Sequence, residues 1–342
     1  LRRFSLRIAD LWSKGLLRHG IRGLISQNQM LNGFLVMSET SALSATGATE
    51  SRLVGVTSAL ATVFIWAGWL IATRYAMTSS FTAVDIGLMR FVVPFVLLSP
   101  IWIKKGIWPK GLSIANGLLM IVGSGAFYTL MVASALQFVP ASHVGILLPG
   151  VMAVWAVLIA VMLFGERPGK VRIGGYAAVI IGVLSLVALK PAGAVSNEMM
   201  LGYGLVSAGA FMWACYTHAM RRSGLGALDA AAFVGFWSFV IMAIIALFTG
   251  TTLGDAPMGD VMMLLTAQGL LAGCVAVITY GLAVRHIGST GASAFGAMTP
   301  ALTALGGVVL LGEQGNLALV LAVVLTILGV MIASGVFRRK RG

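Results

Sequence analysis

Few residues of this chain combine reactive chemistry with a position inside an apolar run. Arg90 does: it stands about six residues inside its run, roughly 9 Å at 1.5 Å per helical residue. An ionisable group at that depth either anchors an anion or carboxylate in a cavity or reaches back to the interface beside Asp85. Trp66, Trp69, Tyr128, Trp155, Trp213, Tyr216 and Tyr280 also lie within apolar runs. A large ring with one polar handle suits a cavity for amphipathic solutes, and it suits packing between helices equally well. His143 opens another run, as a proton-sensitive gate or as an interfacial histidine. Glu166 and Glu313 each follow a glycine at the end of a run, while Arg74 and Arg221 end two others. Glu166 with Arg221, and Glu313 with Arg74, are candidate gate-like ion pairs. The plainer reading is that each Gly-Glu turns the chain, where an exposed pair contributes about 0–1 kcal/mol.

No catalytic or cofactor-binding set can be assembled from the rest. His19, His143, His218 and His286 are scattered, and Cys215 and Cys274 each sit alone in an apolar run. Walker and dinucleotide-type glycine loops are missing, as is any Asp or Glu near the centre of an apolar run. We therefore expect no enzyme, no metal, no cofactor and no ATP-driven step. A passive channel and a membrane-embedded enzyme are the alternatives to a solute carrier.

Elements that position these residues follow from composition. The 342 residues are 59% hydrophobic and 10% charged, against roughly 25% charged in a soluble domain. The mean hydropathy is +0.98, and 43 glycines suit closely approaching membrane helices. A hydrocarbon core about 30 Å thick needs about 20 apolar helical residues. Ten runs meet that requirement, over 53–73, 84–103, 112–135, 141–164, 171–189, 200–220, 228–249, 261–284, 288–311 and 316–337. Pro149 and Pro300 lie within two of them, freeing carbonyls or kinking the helices. Gly174, Ala178 and Gly182 have the small-xxx-small spacing of a packing face.

Residues 1–52 differ, being basic and then Ser/Thr-rich, and are expected to be poorly ordered and cytoplasmic. Phe4, Ile8, Leu11 and Trp12 would share a helical face over residues 1–16, suited to an anionic membrane surface. An Arg-rich targeting peptide and a misplaced start before Met37 are the competing readings.

The net charge of +13 would direct attention to nucleic acid in a soluble protein. Sorted against the ten runs, however, 20 of the 23 basic residues fall on one side of the membrane, leaving Arg74 and Lys190 opposite and Arg90 within. Basic loops mark the cytoplasmic side, so both termini are expected inside and no nucleic-acid partner is expected.

The two halves also repeat. Trp66 and Trp213, Arg74 and Arg221, Ser142 and Ser289, Gly165-Glu166 and Gly312-Glu313, and Gly182-Val183 and Gly329-Val330 are all separated by 147 residues. Five runs per copy is an odd number, so the second copy crosses the membrane in the opposite sense. Such inverted repeats give two conformations of comparable energy with a solute site near the midplane. The expected fold is an all-α membrane protein of ten transmembrane helices, in two inverted five-helix repeats over 53–190 and 200–337.

The doubled features, Pro140-Ala141-Ser142 through Gly165-Glu166 and Gly182-Val183, then Gly288-Ser289 through Thr299-Pro300 to Gly312-Glu313, resemble the EamA domain of the drug/metabolite transporter superfamily. Trp66 and Trp69 in the first run and Arg90 in the second extend the resemblance, which covers about residues 53–337. It implies a gradient-driven transporter of a small metabolite, such as an amino acid or related compound, in the inner membrane. The halves have diverged: Pro300 is matched by Ala153, and Arg90 by Trp237. We expect an asymmetric solute site drawing on the aromatic residues above, Arg90 and His143, with a lipid bilayer and a small-molecule solute as partners. Homodimerisation is left open.

Overall fold

The computed structural model describes residues 51–189 and 195–334. The surface-helix and targeting readings of the first residues, Lys190 and the basic C-terminal run lie outside the described residues.

Nine described helices are long and apolar enough to cross a membrane, and a bent pair supplies a tenth span. In chain order they are α1 (Ser51–Met77), α2 (Ala83–Leu97, continued by Ser99–Lys105), α3 (Ile114–Phe138), α4 (Ala141–Phe164) and α5 (Lys170–Ala188). The second five are α6 (Asn197–Ser223), α7 (Ala227–Thr249), α8 (Met258–Gly288), α9 (Gly291–Leu311) and α10 (Leu317–Ser334). Large apolar side chains cover the outside, with Phe248 87% and Met162 79% exposed. Water would oppose such a surface, whereas lipid solvates it. The bundle has two ends, the Arg74 end and the Arg221 end.

The spans are less regular than the apolar runs suggest. A 64° bend divides α2, where Pro100 in the first turn of Ser99–Lys105 withdraws an N–H and disfavours helix at the residue before it. The third run, expected to be one helix, breaks at Gly125, whose φ of −95° and ψ of −137° are not helical. Its chain neighbour Ala126 has lost an intrahelical acceptor and donates its N–H to the buried Ser238 Oγ of α7 at 3.1 Å. At the corresponding level of the second repeat, Leu265–Val275 of α8 is wound as a π-helix. The ninth span starts at Gly291 instead of Gly288, because Gly288 at φ +75° leaves the helical region. Pro300 follows a further short break at Ala297–Met298, whereas Pro149 lies inside an unbroken α4.

Helices of one repeat pack on helices of the other. α5 and α10 form the most extensive pair, through glycines. A Cβ on Gly182 would lie 3.1 Å from the Ala322 carbonyl, and one on Gly329 would lie 2.6 Å from the Gly175 carbonyl. Adding 147 to Gly182 and Gly175 gives Gly329 and Ala322, so the two contacts are one contact repeated through the inversion axis. Here the expected Gly174–Ala178–Gly182 face is corrected by one residue: Gly174 is exposed with nothing near it, and Gly175, Val179 and Gly182 are buried. Spacing alone gave the period but not the rotation of the helix.

The same exchange holds elsewhere. α1 meets α8 through Thr62 and Thr279, whose hydroxyls are 2.7 Å apart, and meets α9 where Gly306 faces Ile71. Its repeat mate α6 meets α3, where a Cβ on Gly123 would come 2.5 Å from the Met212 carbonyl, and meets α4. α2 packs against α7, with Gly235 under Pro94 and Gly87 under Met242.

Candidate functional site

The aromatic residues singled out in the sequence fall into separate groups. One is continuous: Trp69 of α1 stacks at 6.3 Å on Tyr128 of α3, Tyr128 lies 4.9 Å from Trp213 of α6, and Trp213 lies 5.2 Å from Tyr216. Trp66 instead pairs with Tyr280 of α8 at 5.3 Å. Under the inversion these are equivalent helix pairs, α1 with α8 and α6 with α3, joined by aromatic rings in both. Trp155 lies apart, edge-on to Phe211 with its Nε1 3.4 Å from Ser207 Oγ. His143 is also apart, buried at the start of α4 with its Nδ1 2.8 Å from Tyr203 Oη.

Arg90 caps the continuous group. Its guanidinium carbon lies 4.6 Å from the centre of the Trp69 ring and 5.9 Å from that of Phe91, a cation–π arrangement. Arg90 is 9% exposed, buried among these rings. Asp85 is occupied elsewhere: its carboxylate accepts from the Thr82 N–H and hydroxyl and from the Thr252 N–H and hydroxyl, all within 3.2 Å. The backbone that presents Arg90 is fixed by the π segment of α8, since a Cβ on Gly269 would lie 2.6 Å from the Met89 carbonyl and one on Gly273 3.2 Å from the Arg90 carbonyl. Long π segments are uncommon and gather at functional sites.

Sequence reasoning missed three polar residues of this region. Gln268, fully buried in the π segment, donates to Thr73 Oγ1 at 2.8 Å. Ser238 holds the break in α3, and Thr129, also buried, follows that break by one turn. The run Gly123-Ser124-Gly125 in mid-span was the available signal for the break.

Helix ends form a second part of the site. At the Arg74 end, the Glu313 carboxylate accepts the N–H groups of Ala141 at 2.6 Å and Ser142 at 2.9 Å, the first turn of α4. Arg74 donates to the Leu136 and Gln137 carbonyls, in the last turn of α3. The pair expected from sequence is therefore arranged around the α3–α4 turn, each charge on the helix terminus of complementary polarity. At the Arg221 end, neither Glu166 nor Arg221 makes a side-chain hydrogen bond or ion pair among the described residues, and both are exposed. Arg222 lies over the Phe164 ring at 4.3 Å.

Backbones of the two Gly-Glu ends are nevertheless alike. Gly165 and Gly312 take φ of +65° and +67°, the left-handed helix end that glycine accommodates. Glu166 N–H returns to the Ala160 carbonyl and Glu313 N–H to that of Gly307, positions 147 apart. One difference at this contact is a methyl group, Gly307 being matched by Ala160. A Cβ at Gly307 would lie 2.4 Å from Glu313 Oε2, so glycine leaves room for the carboxylate to fold back. Ala160, at the matching position, is buried.

The sequence matches the EamA-like transporter family over residues 53–188 and again over residues 200–335. This chain belongs to the EamA-like transporter family. EamA proteins are transporters of the drug/metabolite type, and this one is accordingly a multi-pass membrane protein working on small molecules across a lipid bilayer. A solved structure described only as the crystal structure of a protein shares the fold, with a TM-score of 0.58 at 20% identity over 85% of this chain and 99% of that one. No curated protein matches the chain.

Proposed function

We propose that this EamA protein is a secondary transporter that moves a small metabolite, an amino acid or related compound, out of the cell by alternating access. The positive-inside bias supports an inner-membrane orientation with both termini cytoplasmic, making the Arg74 end the outer end. The observation that carries the reading is the inequality of the two ends within an inverted repeat. Glu313 and Arg74 tie the outer α3–α4 turn, while Glu166 and Arg221 stand apart at the inner end. Two five-helix bundles related by inversion have a second arrangement of similar energy in which the outer tie opens and the inner residues approach. Gly307 against Ala160 biases the equilibrium toward the outer-closed arrangement. Broken α3 and π-wound α8 cross between the two ends, where discontinuous helices hold solute in transporters of inverted design.

An uptake and efflux screen of metabolites in cells with and without the chain tests this reading. Export of at least one small metabolite is expected to rise with expression and to saturate. Unchanged flux of every solute under every gradient would remove the carrier reading, and unsaturable flux equal in both directions would replace it with a channel.

A further inference from the structure

We propose that Arg90, Trp69 and Tyr128 form a binding site for the carboxylate of a singly charged organic anion bearing an apolar or aromatic group. The inference rests on the transporter reading above and narrows its substrate class, from amino acids and related compounds to monocarboxylates that carry no ammonium group. Two hydrogen-bond donors, Arg90 Nη1 and Trp69 Nε1, are buried in the same place, and neither has a hydrogen-bond partner among the described residues. Leaving such a donor unpaired costs about 1–3 kcal/mol, more where the group is charged. A protein that keeps two side by side at the head of an aromatic stack holds them for an acceptor that arrives from outside.

Both of these groups are donors, so a ligand held by them must supply acceptors; Gln268 Oε1 and Thr129 Oγ1 of the same region are also buried without a hydrogen-bond partner among the described residues. Arg90 makes no ion pair among the described residues, and Asp85, the nearest carboxylate along its own helix, is saturated by Thr82 and Thr252. The cation in this membrane interior is therefore uncompensated, which favours an anion. The groups facing it are Trp69, Phe91 and Tyr128, none of them a second cation. One positive charge matches a monocarboxylate better than a phosphate, whose second charge would be unbalanced. Beyond Trp69 the line of Tyr128, Trp213 and Tyr216 offers ring faces to the remainder of the solute.

Binding of radiolabelled phenylacetate to the full chain in neutral-lipid nanodiscs, with phenylacetamide and phenethylammonium as competitors, tests the site directly. Phenylacetate is expected to bind saturably, and neither competitor is expected to displace it. Arg90→Gln should weaken binding at least about tenfold, and Arg90→Lys should retain part of it. Trp69→Phe, which keeps an aromatic ring and removes the Nε1 donor, should weaken it a few-fold while the elution position on gel filtration stays unchanged. Equal competition by the amide, or full binding by a well-folded Arg90→Gln protein, would overturn the site. Flux in proteoliposomes separates the two readings: binding that depends on Arg90 without any phenylacetate flux would leave the site standing and count against the carrier. Arg90-independent flux would do the reverse.

Discussion

Glu313 caps Ser142 across the repeat boundary: a carboxylate at the end of α9 accepts the N–H of a residue 171 positions earlier, in the first turn of α4, at 2.9 Å. The neighbouring Ala141 N–H takes the other carboxylate oxygen. Helix starts carry unsatisfied donors and partial positive charge, so a carboxylate there is stabilised by both. The contact needs α4 and α9 to be close at the Arg74 end, so under the proposed alternating access it reports whether that end is closed.

Removing the cap should loosen that end. In a background lacking Cys215 and Cys274, a cysteine replacing His143 should label faster with a membrane-impermeant thiol reagent when Glu313→Ala is added. Loss of a helix-capping acceptor costs about 0.5–2 kcal/mol, so the labelling rate should rise several-fold. Gly307→Ala should act through the same contact, because the added methyl meets the Glu313 carboxylate. The double variant should then be no worse than Glu313→Ala alone, a non-additivity read from the same labelling rates.

At the Arg221 end, Glu166 and Arg221 make no ion pair among the described residues. Arg221→Glu and Glu166→Arg should each slow transport while changing thermal stability by less than about 0.5 kcal/mol, as expected of exposed positions. Combining them should restore part of the rate. Unchanged transport in both single reversals would remove the proposed gate at the Arg221 end.

Gly329 and Gly174 separate packing from mere composition. A methyl on Gly329 has backbone on its far side at 2.6 Å, so Gly329→Ala should destabilise the α5–α10 pair by about 1–3 kcal/mol. Gly174→Ala, facing open space, should be neutral. Unfolding titrations in mixed detergent micelles give both values.

The contrast between those glycines marks how far the sequence could be read. Ten apolar runs and the 147-residue offset carried the fold, because membrane thickness and duplication leave regular traces in one dimension. The doubled Gly-Glu likewise pointed to paired ends. Rotation of α5 about its axis was not legible, since Gly174 and Gly175 differ only in which one another helix reaches. Glu313 was expected to pair with Arg74; its acceptance of the Ala141 and Ser142 N–H groups depends on a tertiary approach that no local pattern encodes. Nor could the π winding at Leu265–Val275 be read, for apolar periodicity over eleven residues does not distinguish it from an α-helix.

Ser238 should matter for the break in α3 despite lying in another repeat. Ser238→Ala leaves the Ala126 N–H buried without a partner, which costs about 1–3 kcal/mol. A lowered midpoint of thermal unfolding is expected, together with a larger loss of transport than Gly329→Ala produces at equal stability.

Entrance counterflow in proteoliposomes, using whichever solute the efflux screen identifies, tests the alternating-access carrier most directly. Labelled solute outside should enter faster, and transiently above equilibrium, when unlabelled solute fills the lumen, and Glu313→Ala should alter that exchange rate. Entry that is linear in concentration and indifferent to luminal solute would contradict a carrier with two exchanging gates.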